Sequence, residues 1–188
     1  LNNHGHSTLV IDGRLQAVKG VANIVGTSER PGKQCTVMDL SGLYRPRAAQ
    51  VLRGVSLLED GKGLLVQDEI AAPGKAIRIR WAMVTRASVS RLEGGWALLE
   101  QDGKELWMGI RGRSECRWEV FPIDPPPSPH DEGNPGARII GFTATIRPGE
   151  YSRFSVHMAR MRDPGTGEGI VPLSLWIAPQ NGQVRSSA

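Results

Sequence analysis

Twice along this chain an alternating run of apolar and polar residues enters an Asp-Gly turn and returns as a second alternating run. Gln50 to Leu58 passes through Glu59-Asp60-Gly61-Lys62 and comes back as Gly63 to Ile70, and Trp96 to Glu100 passes through Asp102-Gly103-Lys104 into Glu105 to Ile110. Asp-Gly readily takes the positive φ of a tight turn, so both stretches read as antiparallel hairpins. Between them, Ile77, Ile79, Trp81 and Met83 fall on one face of a strand and Arg78, Arg80 and Ala82 on the other. Further strands are expected at 8–11, 21–26, 34–40, 116–121, 137–146 and 153–161, and a last one over Leu173 to Ile177. Pro122 to Pro129 is expected to be a loop, because its prolines cannot donate to a sheet. No stretch carries a helical stripe, and 23 Gly with 13 Pro supply the many turns of an all-β chain. About ten to twelve such strands bury their apolar faces best as two packed sheets. The expected fold is an antiparallel two-sheet β-sandwich, one domain over 1–188 with 163–188 a partly irregular tail.

Charge excludes more than it assigns. The excess of 23 Lys and Arg over 19 Asp and Glu gives +4, which tolerates an anionic partner. The basic residues stand in ones and twos, as at Arg45/Arg47, Arg78/Arg80 and Arg111/Arg113. A nucleic-acid arm is therefore not expected, and no window is long and apolar enough to span a membrane. Cys35 and Cys116 have no CxxC spacing, so pairing and burial as free thiols both stay open.

Few residue types here can do chemistry. On a continuous strand His4 and His6 would share a face and reach one metal or one substrate, although two histidines do not close a zinc site and His130 and His157 are distant in sequence. Asp68-Glu69 reads either as a paired-carboxylate site or, more plainly, as a strand end with one carboxylate turned to solvent. Tyr44, flanked by Arg45 and Arg47, suits an acidic sugar, and equally suits a strand cap. Among five tryptophans, Trp81 and Trp118 share a face with aliphatics and belong to the core. Trp107 alternates with Leu106 and Met108 and is the better candidate for stacking on a sugar.

The string His6-Ser7-Thr8-Leu9-Val10-Ile11-Asp12-Gly13, followed by Gln16, resembles the His-Asn-Thr-Leu-Val-Val-Asp-Gly-x-x-Gln string of heparinase II/III-like polysaccharide lyases, in their C-terminal β-domain region. The order of later motifs agrees: Asp39 to Tyr44, the hairpin from Arg53-Gly54-Val55 to Val66 and Asp68-Glu69-Ile70, then Trp81 and Met83. The likeness covers about the first 110 residues.

The resemblance implies a β-sandwich that works beside a helical toroid domain, cleaving acidic polysaccharide by β-elimination in the periplasm or outside the cell. It implies that His6 is a zinc ligand completed by ligands from outside this chain, with Ser7 standing where the family has Asn. For such chemistry the chain offers His4 or His6 as acid or base, His4 being the candidate taken, and Arg14 or Arg45 for the carboxylate, with Tyr44, Arg45 and Trp107 as the candidate substrate contacts. Elimination needs the uronate carboxylate neutralised, a base for the C5 proton and an acid for the leaving oxygen. These residues do not supply all three, so the chain alone is expected to be inactive, with the helical domain as its missing partner. Two other readings stand beside this one: a non-catalytic carbohydrate-binding or structural sandwich, and a zinc hydrolase built on His4 and His6.

Overall fold

The computed structural model describes residues 3–30, 33–58, 61–123, 133–162 and 170–177. Twelve strands appear in chain order: β1 Leu9–Ile11, β2 Asn23–Arg30, β3 Lys33–Asp39, β4 Gln50–Leu57, β5 Gly63–Ala71, β6 Ile77–Thr85, β7 Ser88–Glu93, β8 Trp96–Gln101, β9 Lys104–Arg111, β10 Glu119–Phe121, β11 Arg138–Ile146 and β12 Tyr151–Ala159. They form a small sheet ordered β1-β6-β11-β10 and a large one ordered β2-β3-β4-β5-β12-β9-β8-β7. The expected antiparallel β-sandwich is what the chain forms.

Alternation explains which side of each sheet is dry. In β6 and β11, Ile77, Ile79, Trp81, Ile140, Phe142, Ala144 and Ile146 point inward. They meet Val51, Val66, Ile70, Leu99, Met108, Phe154 and Val156 of the large sheet. Trp81 stacks on Phe142 at 5.8 Å between centroids, Trp118 meets both edge-on, and Phe154 reaches Phe142 from the opposite sheet at 5.5 Å. Trp118 is thus core, as expected, with its indole N–H donating to the Gly95 carbonyl at 2.8 Å. Gly141 is required where it stands, because a Cβ there would collide with the Trp81 carbonyl oxygen on β6.

Several expectations need correction. Ala82, assigned to the polar face, is 1% exposed, because the outer face of the small sheet is itself covered. Strand β7 went unread: it is an edge strand, exposed along most of its length and bulged between Val89 and Arg91, so it has no continuous apolar face. Leu173–Leu175 is a 3₁₀ turn and not a strand, and a single helical turn, α1, spans Ser41–Tyr44. Cys35 and Cys116 are both free and buried. The segment 124–132 with its prolines and His130, the turn residues 31–32 and 59–60, and most of the tail lie outside the described residues.

Candidate functional site

His4 and His6 themselves do not lie on a strand. Asn3–Gly5 forms a 3₁₀ turn, which removes the shared strand face expected of His4 and His6. Asn3, 2% exposed, fixes this turn: its amide nitrogen donates to the carbonyls of Leu9 and Arg14 at 3.2 Å, and its Oδ1 accepts from the Gln16 amide. From there the chain lies over the outer face of the small sheet. The His4 carbonyl accepts from Arg80 Nη2 at 2.9 Å, and Ser7 Oγ accepts from the Val84 amide at 3.0 Å. His4 is half-buried and His6 is exposed.

Tyr44 holds the same segment from the core side. At 2% exposure its hydroxyl donates to the Leu9 carbonyl at 2.8 Å, accepts from Gln16 Nε2 at 2.7 Å and lies 3.3 Å from Thr8 Oγ1. Burial pushes its phenol pKa upward, which keeps the donor protonated. Of the two roles expected for Tyr44, sugar contact or strand cap, these bonds describe the structural one: it positions the strand that follows the histidines. Arg45, next in the chain, is exposed.

Trp107 sits elsewhere. Its neighbours Leu106 and Met108 face the core, so Trp107 is on the outer face of the large sheet, while His4 lies over the outer face of the small one. Two sheets about 10 Å apart separate them, and the structure does not bring them into one site. The indole is half-buried, with the Arg91 and Arg162 guanidiniums 5.9 and 5.8 Å from its ring centroid. Such cation–π contacts occupy the surface that a sugar would stack on.

Zinc requires at least three convergent ligands. Among the described residues no group of three His, Cys, Asp or Glu side chains could hold a metal ion. The residues around His6 therefore do not make a zinc site on their own.

The best-built polar cluster is at Asp68-Glu69, whose partners and burial the sequence did not show. Asp68 and Glu69 are 0% and 2% exposed, so neither carboxylate turns to solvent. Asp68 faces the core and takes two hydrogen bonds from Arg53, its cross-strand partner, at 2.8 and 3.0 Å. Glu69, on the outer face, accepts from Arg153 Nε at 2.6 Å, from the Leu173 amide at 2.9 Å, from Gln67 at 3.2 Å and from the Tyr151 hydroxyl. Gln67 and Arg153 also donate to the carbonyls of Val171 and Ile170, so this cluster ties the segment 170–177 to the sheet. A cavity of about 360 Å³ opens beneath it, lined in part by Gln67, Arg111, Ser155 and Trp176. A buried strand carrying Gln-Asp-Glu was the available signal, since consecutive buried carboxylates need partners on both faces.

A family model described as heparinase II/III-like, C-terminal matches residues 2–135. Among solved structures, a heparinase III with methylated lysines superposes with a TM-score of 0.63 at 12% identity, covering 84% of this chain and 24% of that one. A second heparinase III gives 0.61 at 11%, covering 81% and 23%. A mutant of the heparan sulfate lyase from Pedobacter heparinus gives 0.62 at 12%, covering 84% and 24%. At such identities these likenesses show a shared fold, and the chain spans about a quarter of each structure's length. No curated protein matches it.

Proposed function

The chain belongs to the heparinase II/III-like, C-terminal family, and from that premise we propose that it is the β-sandwich part of a polysaccharide lyase, cleaving acidic polysaccharide by β-elimination when joined to a helical domain. The observation that carries the reading is the family match over residues 2–135, which takes in both the histidine string and the large-sheet hairpins. In this reading the enzyme works in the periplasm or outside the cell, where such polysaccharides are met.

What this chain contributes is a fixed edge. His4 is the group that takes part in proton transfer, its turn held by Asn3 and by Arg80. Arg45, exposed beyond Tyr44, contacts the acidic sugar. Zinc enters only through His6 with ligands from outside the chain, and no step of the reaction is routed through it. The remaining acid and base come from the helical domain, because the described residues around His4 do not assemble the three groups that elimination needs.

The test compares the isolated chain with the polypeptide that joins it to its helical domain, on acidic polysaccharides such as heparan sulfate. Unsaturated uronate, read by its absorbance near the ultraviolet edge, is expected from the joined protein alone. Product from the isolated chain, or none from a folded joined protein on any acidic polysaccharide, overturns the proposal. Elemental analysis of the joined protein and its His6→Ala variant checks the zinc ligand separately.

A further inference from the structure

Three arginines packed against this sandwich are neutralised by carboxylates among the described residues. Arg53 has Asp68, Arg153 has Glu69, and Arg113 has Glu115 and Glu150. Arg80 has none among the described residues. It stands on the outer face of the small sheet, opposite Val10 on β1 and Thr143 on β11, with its guanidinium carbon 5.4 Å from the Phe121 ring centroid. Its Nη2 donates to the His4 carbonyl at 2.9 Å, and its Nε is buried without a partner. Glu119, exposed on β10 two strands away, makes no ion pair with it. Burial disfavours the charged form and lowers the pKa of this guanidinium, with no opposing charge to offset the effect.

A half-buried cation with an unused donor edge is unfavourable unless an anion completes it. Stacking on Phe121 and the bond to His4 fix the guanidinium plane, and the buried, unpartnered Nε leaves its donor set incomplete. A planar, immobilised guanidinium is suited to an oxyanion, and less of its conformational freedom is lost when one binds.

We propose that Arg80 is the anion-anchoring residue of the small sheet, receiving the carboxylate or sulfate of an acidic sugar beside His4. The inference rests on the reading of the chain as a lyase sandwich for the source of that anion. It adds a binding residue that the histidine string did not reveal, on the same face as His4 and away from Trp107.

Binding to the isolated wild-type chain is followed through the Arg80 Nε–H and His4 imidazole resonances by NMR. Three probes are titrated: a sulfated uronate disaccharide, a neutral disaccharide and sodium sulfate. The acidic disaccharide is expected to shift both residues, and Arg80→Gln to weaken its binding about tenfold, the scale of one charge-assisted hydrogen bond. Equal binding of the neutral disaccharide overturns the inference, as does a response to sulfate without a response to the acidic sugar. So does the absence of any shift at Arg80. The wild-type titration decides the matter even where Arg80→Gln fails to fold. An inactive joined protein whose isolated sandwich still binds through Arg80 counts against the lyase reading alone. An active joined protein whose KM is unchanged by Arg80→Gln counts against this inference alone.

Discussion

Asp68 and Glu69 are consecutive, yet their carboxylates lie on opposite faces of the large sheet, each bound to its own arginine. Strand geometry forces the separation, since successive side chains point to opposite sides. One pair is sealed in the core beneath Tyr44, and the other secures the segment 170–177 outside it. The sandwich therefore carries ion pairs at two depths, and they respond to different perturbations.

The inner pair should be costly to break and cheap to replace. Asp68→Ala strands the Arg53 guanidinium, whose side chain is 11% exposed, and a loss of about 3–5 kcal/mol is expected. The double variant Arg53→Met/Asp68→Leu should recover most of it. Urea denaturation of the two variants measures both effects, and a single-variant loss below about 1 kcal/mol would mean the pair is not desolvated as described.

The outer pair should respond to pH. Burial alone would raise the pKa of Glu69, but hydrogen bonds from Tyr151, the Leu173 amide and Arg153 outweigh it and hold the carboxyl below its ordinary value of 4.5. A depressed folded pKa contributes stability that is present above the unfolded value and lost as pH falls through the folded one. The stability gap between the wild type and Glu69→Gln should thus be constant above about pH 5 and close in more acid solution. Thermal melts of both proteins across that range test it; a gap that does not change with pH would show that charge on Glu69 is irrelevant.

The segment 170–177 also depends on a missing side chain. Leu173 and Trp176 pack into the space over Gly54, where a Cβ would collide with Leu173 and come within 2.8 Å of the Trp176 ring. Gly54→Ala should lift this turn and cost about 1–3 kcal/mol. A red shift in fluorescence that is absent when Trp176 is also replaced by Phe would locate the disturbance there.

Thiol reactivity follows from burial. Cys116 donates to the Thr143 carbonyl at 3.5 Å, and desolvation first of all pushes its thiol up to about 11. Cys35 is 7% exposed and contacts the Trp176 carbonyl at 3.6 Å. Neither should react with an aromatic disulfide reagent at neutral pH in native protein within minutes, and both should react in denaturant. Quantitative titration of one thiol in native protein would contradict the placement of that cysteine.

Much of this architecture was legible because its turns and strand periods agree. The two Asp-Gly hairpins became β4/β5 and β8/β9 with their boundaries nearly unchanged. Strand β7 was not, because its two apolar residues, Val89 and Leu92, are three apart across a bulge and so break the period of two. Leu173 to Ile177 misled in the opposite way: a short apolar run has the same composition whether it is a strand or a 3₁₀ turn packed over glycine. At the site, the histidines and Tyr44 could be picked out by residue type, but what they touch could not. Asn3 carries no sequence signal of burial, and Arg80 reads only as the polar side of a strand until the chain before β1 is seen to cross it.

That crossing gives the last prediction its form. Tyr44 and Asn3 hold the histidine turn from two sides, Tyr44 through the Leu9 carbonyl and Asn3 through the carbonyls of Leu9 and Arg14. Tyr44→Phe keeps the buried ring and removes only the hydroxyl, leaving the Gln16 amide and Thr8 hydroxyl to find other partners. A destabilisation of about 1–2 kcal/mol is expected. Hydrogen exchange should rise at Leu9 to Ile11 and at Gln16 while the hairpin β8/β9 stays protected, since it shares no bond with Tyr44. Were Tyr44 a sugar contact, Tyr44→Phe would weaken glycan binding and leave exchange in β1 unchanged. The buried hydroxyl predicts the reverse: faster exchange in β1, and binding lost only to the extent that the turn carrying His4 loosens.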